Sequence, residues 1–144
     1  MIFIIALVIL FLDQLSKFIL SGKLSLHQSV PVIKNIFHLT LVHNYGAAFG
    51  LLKNQTLLFI GTSLVVIILI SVDSAKNRRN EISLYTFSLG CILAGAIGNL
   101  IDRIRFGYVV DFLDFRVWPV FNIADSAITI GACLLGYSIL RKKE

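Results

Sequence analysis

Asp125 stands four residues into the apolar run Asn122–Leu140, just after Asn122 and just before Ser126. A carboxylate there has two readings. It can cap a helix N-terminus, a position that favours Asp, Asn and Ser, although Asn122 is also available for that task. It can also be half of an aspartic-protease pair. Two carboxyl groups about 3 Å apart cannot both ionise, so they share a proton. The ionised one takes a proton from water as that water attacks a peptide carbonyl. The protonated one stabilises the developing oxyanion. Asp102, Asp111 and Asp114 are the candidate partners, and spacing alone leaves all three open.

Other polar residues stand near the same apolar runs. Asp13 and Lys17 are spaced i, i+4 on one helical face and read as a neutralised pair holding their helix to its neighbours. Asn99 and Arg103 share that spacing, and Arg103 can extend to lipid headgroups. Asp102 is expected to pair with the adjacent Arg103 and Arg105, and Asp114 to be solvated beside Arg116. Asn44 is followed by Gly46, Ala47 and Ala48, small residues that let an extended peptide backbone come close. No metal is expected. His-Glu-x-x-His is absent, and His27, His38 and His43 lie in one loop without helical ligand spacing. Three other classes compete: a serine enzyme using Ser126 or Ser16 with Lys17 as base, a small proton-coupled transporter or channel subunit, and a non-catalytic assembly factor.

The elements that must carry these residues follow from composition. The chain has 144 residues, 57% hydrophobic and only 15% charged, with mean hydropathy +0.87. A soluble enzyme and a disordered chain are both excluded by that balance. The net charge of +5 suits membrane flanks better than nucleic acid, because no basic stripe lies on a polar helix. Cys91 and Cys133 sit in apolar runs and read as small buried hydrophobes.

Four segments approach the ~20 apolar residues that a bilayer core requires: Ile2–Leu20, Thr56–Val72, Ile82–Ile101 and Asn122–Leu140. The first lacks a basic leading region and contains Asp13 and Lys17, so it reads as a retained span rather than a cleaved leader. Basic residues number six on each side, but Lys76, Arg78, Arg79, Arg141, Lys142 and Lys143 are the denser set, which places both termini in the cytoplasm. Ile36–His43 alternates with period two and Arg105–Phe112 carries Val109-Val110, so both are strand candidates, with Pro31 and Asn35 as punctuation before the first. Trp118-Pro119 suits the headgroup layer. Gly90, Ala94 and Gly98 form a small-residue ladder for close helix packing. The expectation is one integral membrane domain over 1–144, all-α, with four transmembrane helices and a small β platform on the outer face. The polar residues above all converge on that face. A transporter would place them near the midplane.

Five stretches then carry a resemblance: Asp13-Gln14-Leu15-Ser16-Lys17, Asn44-Tyr45-Gly46-Ala47-Ala48-Phe49, Ala94-Gly95-Ala96-Ile97-Gly98-Asn99-Leu100-Ile101-Asp102-Arg103, Val109-Val110-Asp111-Phe112, and Phe121-Asn122-Ile123-Ala124-Asp125-Ser126. In this order they resemble the motifs of the lipoprotein signal peptidases, signal peptidase II, across nearly the whole chain. Ala94 replaces the first of two glycines usual in the third motif, and Asp125 follows Asp111 after only 14 residues. The resemblance implies an aspartic endopeptidase of the bacterial inner membrane that cuts signal peptides from prolipoproteins before a diacylglyceryl-modified cysteine. It implies Asp111 and Asp125 as the catalytic pair. It implies Asn44, Gly46, Asn99, Arg103 and Asn122 as substrate-binding or orienting residues, with Asp13 and Lys17 as a structural pair. No cofactor is implied, the partners are lipid-modified prolipoproteins and membrane lipids, and a monomer is expected.

Overall fold

Four helices long and apolar enough to cross a membrane dominate the computed structural model, which describes residues 1–46, 52, 54–77 and 83–141. They are α1 (Ile2–Lys23), α2 (Thr56–Lys76), α3 (Leu84–Phe106) and α4 (Ile123–Arg141). Strands β1 (Ser29–Ile33) and β2 (Phe37–Asn44) follow α1, and β3 (Val109–Asp114) follows α3. The antiparallel sheet, in order β1-β2-β3, therefore lies at one end of the bundle.

The bundle is turned inside out relative to a soluble one. On α1, Phe3, Leu7, Phe11 and Phe18 are exposed, whereas Ile2, Ala6, Asp13 and Lys17 form the buried face. Lipid solvates the large apolar side chains, so small residues and polar bonds must hold the helices together. Helix α3 is the centre, touching α1, α2 and α4. In its membrane-spanning window 67% of residues are buried, against 6% for α2. Gly98 faces α1 so closely that a Cβ would stand 2.6 Å from Asp13 Oδ2. Gly95 faces α4, where a Cβ would collide with the Ala124 carbonyl oxygen and stand 2.5 Å from Ile128 Cγ1.

Several expectations change. The helices run past the apolar cores to Lys23, Lys76 and Arg141, because nothing in a headgroup layer stops a helix at its last apolar residue. Ile82, Arg78, Arg79, Lys142 and Lys143 lie outside the described residues. Arg105 and Phe106 are helical, not strand. The change of element falls at Gly107, a left-handed C-cap with φ 79°. Pro31 lies within β1, tolerated because β1 is an edge strand. Cys91 is buried but Cys133 is exposed on the lipid side of α4.

Gly95→Ala should destabilise by about 1–3 kcal/mol through overpacking against backbone that cannot yield. Gly61→Ala, with nothing within 4 Å of the added methyl, should be neutral or slightly stabilising. Thermal unfolding in detergent, followed by fluorescence of the single tryptophan, Trp118, compares them. Equal midpoints would remove close α3–α4 packing as a source of stability.

Candidate active site

Lys17 is the polar centre of the bundle. Its Nζ lies 2.9 Å from Asp13 Oδ2 and 2.9 Å from Asp102 Oδ2, and donates to Asn99 Oδ1 at 3.2 Å. Lys17 is only 4% exposed, Asp13 0% and Asp102 2%. An ammonium has three protons, and all three have acceptors. Each carboxylate then reaches onward. Asp13 Oδ1 accepts from the Ala124 amide at the start of α4, and Asp102 Oδ2 from the Val110 amide of β3. Gln14 Nε2 bridges Asp13, Asp102 and the Gly98 carbonyl.

Two asparagines carry this order to Asp111 and Asp125. Asn99 Nδ2 donates to Asp125 Oδ1 at 2.8 Å, and Asn122 Nδ2 donates to Asp111 Oδ1 at 2.7 Å. Asn122 Nδ2 also reaches Asn99 Oδ1 at 3.2 Å, so the two amides are linked. Asn122 caps α4 as well: its Oδ1 accepts from the Asp125 amide at 2.8 Å, while Asp125 Oδ2 accepts from the Asn122 amide at 3.3 Å. Both readings of Asp125 thus coexist, since this is a reciprocal capping box whose acid keeps one oxygen for Asn99. On the other side, β2–β3 pairing sets Val42 opposite Asp111 and Asn44 opposite Val109, and Asn44 Nδ2 donates to Asp111 Oδ2 at 2.9 Å. Leu113 and Phe121 pair as an isolated bridge, which folds the chain back so that Asn122 returns to Asp111.

Asp111 is 1% exposed. Burial first, then the charge of Asp125, push its carboxyl up to about 7, against opposing bonds from Asn44 and Asn122. A cavity of about 450 Å³ lies beside the pair, lined by Asn44, Gly46, Asn99, Arg103 and Asp125 at its polar end. Val66, Ile92 and Ile128 line it deeper in the bundle. Seven residues separate Asn99 from Ile92, about 10 Å along a helix. The Gly46 amide donates to Asn44 Oδ1 at 3.0 Å, turning that side chain toward Asp111. Ala47 and Ala48 lie outside the described residues.

Other expectations are corrected. Asp102 pairs with Lys17, not with its sequence neighbours: Arg103 lies over the Phe59 ring and Arg105 over the Phe106 ring. Adjacent helical residues point in different directions, so proximity in sequence misleads. Asp114 is buried, not solvated; Thr40 Oγ1 donates to it at 2.7 Å and Arg116 through its amide and guanidinium. Burial would raise its carboxyl, but these bonds outweigh that and hold it below its ordinary range. Ser16 Oγ and Ser126 Oγ donate to backbone carbonyls, and Lys17 is fully engaged, so no serine–lysine nucleophile is assembled. The Gln14 bridge and the Phe59–Arg103 stack carry no local sequence signal beyond their residue types.

The chain matches the family model described as signal peptidase (SPase) II over residues 5–141. It is similar to a lipoprotein signal peptidase of Halothermothrix orenii, 51% identical over 135 residues that cover 94% of this chain and 92% of the relative. It is similar to a lipoprotein signal peptidase of Caldanaerobacter subterraneus, 51% identical with 96% and 95% covered. A bacterial membrane enzyme solved at 2.3 Å superposes with TM-score 0.90 at 31% identity, covering 98% of this chain and 88% of its own.

Lys17→Met should destabilise by about 3–5 kcal/mol, because two buried carboxylates lose their cation. Adding Asp102→Asn should recover part of that loss, and adding Asp13→Asn more. Thermal midpoints of the single, double and triple variants give the answer; a single variant as stable as the parent would mean the cluster is not ionised.

Proposed function

The chain belongs to the signal peptidase II family, and we propose that Asp111 and Asp125 are the pair through which it performs that family's reaction. It is a multi-pass bacterial membrane protein and an aspartic endopeptidase that removes signal peptides from prolipoproteins. The observation that carries the residue assignment is the shared amide bridge. Asp111 and Asp125, from different elements, hang on the linked side chains of Asn122 and Asn99, and Asn99 and Asp125 line the polar end of one cavity.

Near neutral pH the pair holds one proton. The ionised aspartate accepts a proton from water, whose oxygen adds to the scissile carbonyl. The protonated aspartate donates to the carbonyl oxygen as it becomes an oxyanion. The tetrahedral intermediate then collapses, the C–N bond breaks, and the amine leaves with a proton from the pair. Asn99 and Asn122 hold the carboxyl planes. Asn44 steadies Asp111 and Gly46 steadies Asn44. Arg103, whose guanidinium makes no hydrogen bond or ion pair with any described residue, offers its donors to substrate carbonyls. Asp13 and Lys17 support these groups without touching substrate.

The cavity's apolar depth supports a substrate that arrives from the bilayer. Its walls on α2 and α4 continue into lipid-exposed Leu64, Ile68 and Ile130. A signal helix and acyl chains on a diacylglyceryl cysteine both suit such walls, so the lipid-modified precursor is the preferred substrate. The chain acts as a monomer, its termini cytoplasmic and its sheet on the outer face.

Asp111→Asn and Asp125→Asn should each abolish cleavage of a diacylglyceryl prolipoprotein in detergent, with non-additive losses because the pair acts as a unit. Unmodified precursor should be cut far more slowly, and chelators should have no effect. Substantial turnover by either folded variant would overturn the assignment. The pair also predicts a pH dependence. Between about pH 4 and 7, folded Asp111 keeps a proton that the unfolded chain, at 3.8, releases. Stability therefore falls as pH rises through that window. Asp111→Asn should flatten this fall, as read from thermal midpoints between about pH 4 and 7. An unchanged slope would show that Asp111 is ionised in the folded protein.

A further inference from the structure

We propose that Phe59 of α2 is a positioning residue: its ring face holds the Arg103 guanidinium away from the aspartates and in the cavity. Arg103 Cζ stands 4.7 Å from the Phe59 ring centroid, and both residues line the cavity. The two cations of the bundle's polar end are treated differently. Lys17 has an acceptor for every proton. Arg103 has none among the described residues, although it feels the charges of Asp125, Asp111 and Asp102, Asp125 most strongly.

An arginine with free donors beside two carboxyls would ordinarily form a bidentate pair with one of them. Such a pair would disable the site twice. It would occupy the carboxylate oxygen that must take the water's proton, and it would consume the donors offered to substrate. A cation held by an aromatic face is attracted without giving its N–H groups a carboxylate acceptor. The attraction is worth more where water is scarce. The α2 end carrying Phe59 is itself anchored nearby, where Thr56 Oγ1 donates to the Gly107 carbonyl at 3.3 Å. Phe59 thus acts through Arg103 and touches no reacting atom.

The inference rests on the assignment of Arg103 as a substrate contact, and the experiment separates the two. Phe59→Leu keeps bulk but removes the ring. It should lower kcat/KM by about tenfold, the scale of one partly desolvated cation–π contact. It should also move the acid limb of the pH–rate profile to lower pH, because Arg103 would then pair with Asp125 and favour its ionised form. Phe59→Trp should restore both the rate and the limb. In an Arg103→Gln background, Phe59→Leu should change neither. A loss of the same size in both backgrounds, with the acid limb unmoved, would mean the ring only fills space and would overturn the inference. So would full activity in Phe59→Leu. Should Phe59→Leu not fold, Phe59→Met is read by the same criteria. Full activity of Arg103→Gln alone would refute the assignment of Arg103, whereas loss there with none in Phe59→Leu would refute only the role of Phe59.

Discussion

A single buried ammonium organises this molecule. Lys17 lies among helices whose other contacts are small residues and lipid-facing hydrocarbon, and its charge must be met by Asp13, Asp102 and Asn99. Removing Lys17 would strand two carboxylates in surroundings that solvate them poorly. The acceptors belong to α1 and α3; Asp13 holds the first turn of α4 through its other oxygen, and Asp102 holds the start of β3 through the oxygen that also meets Lys17. The ion cluster therefore fixes the relative placement of three spans and the sheet. Specificity of placement, rather than net stabilisation, is what such a cluster supplies best.

The same economy explains why asparagines surround the aspartates. A carboxyl pair that shares one proton needs polar neighbours to hold its geometry. A cation in direct contact would drive both members to ionise. Primary amides donate without adding charge, and Asn122 uses one side chain three ways: it caps α4 through Oδ1, holds Asp111 through Nδ2 and meets Asn99. The positive charge of Lys17 reaches Asp125 only across Asn99. Full-strength cations stay one residue away, Lys17 behind its own counter-ions and Arg103 on an aromatic ring.

The four spans were legible because lipid imposes a length and a composition that little else in a sequence imitates. Their ends were not, since helices continue to Lys23, Lys76 and Arg141 once hydrocarbon gives way to headgroups. Strand β2 announced itself by alternation. Strand β1 did not, because all five of its residues are exposed and Pro31 reads locally as a breaker. Asp102 was assigned the wrong partner because its counter-ion lies on another helix, and Asp114 was read as solvated because Thr40 reaches it only through β2–β3 pairing. Spacing could not choose among the three possible partners of Asp125, and only the motif resemblance points to Asp111. The juxtaposition of Asp111 with Asp125 depends on the Leu113–Phe121 bridge, a short return of the chain that no alternating pattern announces.

The position of the cavity follows from a conflict between two requirements. Peptide hydrolysis needs water and an unwound backbone, and both are unfavourable in hydrocarbon, where each unpaired peptide group costs several kcal/mol. A lipid-bearing substrate, however, cannot leave the hydrocarbon. The end of a helical bundle capped by a sheet meets both needs. Asn44, Asn99 and Arg103 give the cavity a polar end, while Val66, Ile92 and Ile128 continue the apolar phase beneath. This also accounts for the asymmetry of the helices. Helices α1, α3 and α4 are locked together by ions, amides and close glycine contacts, whereas α2 is held by apolar contact with α3, by the Phe59–Arg103 contact and by polar links near its two ends, from Thr56 to Gly107 and from Tyr85 to Asp73.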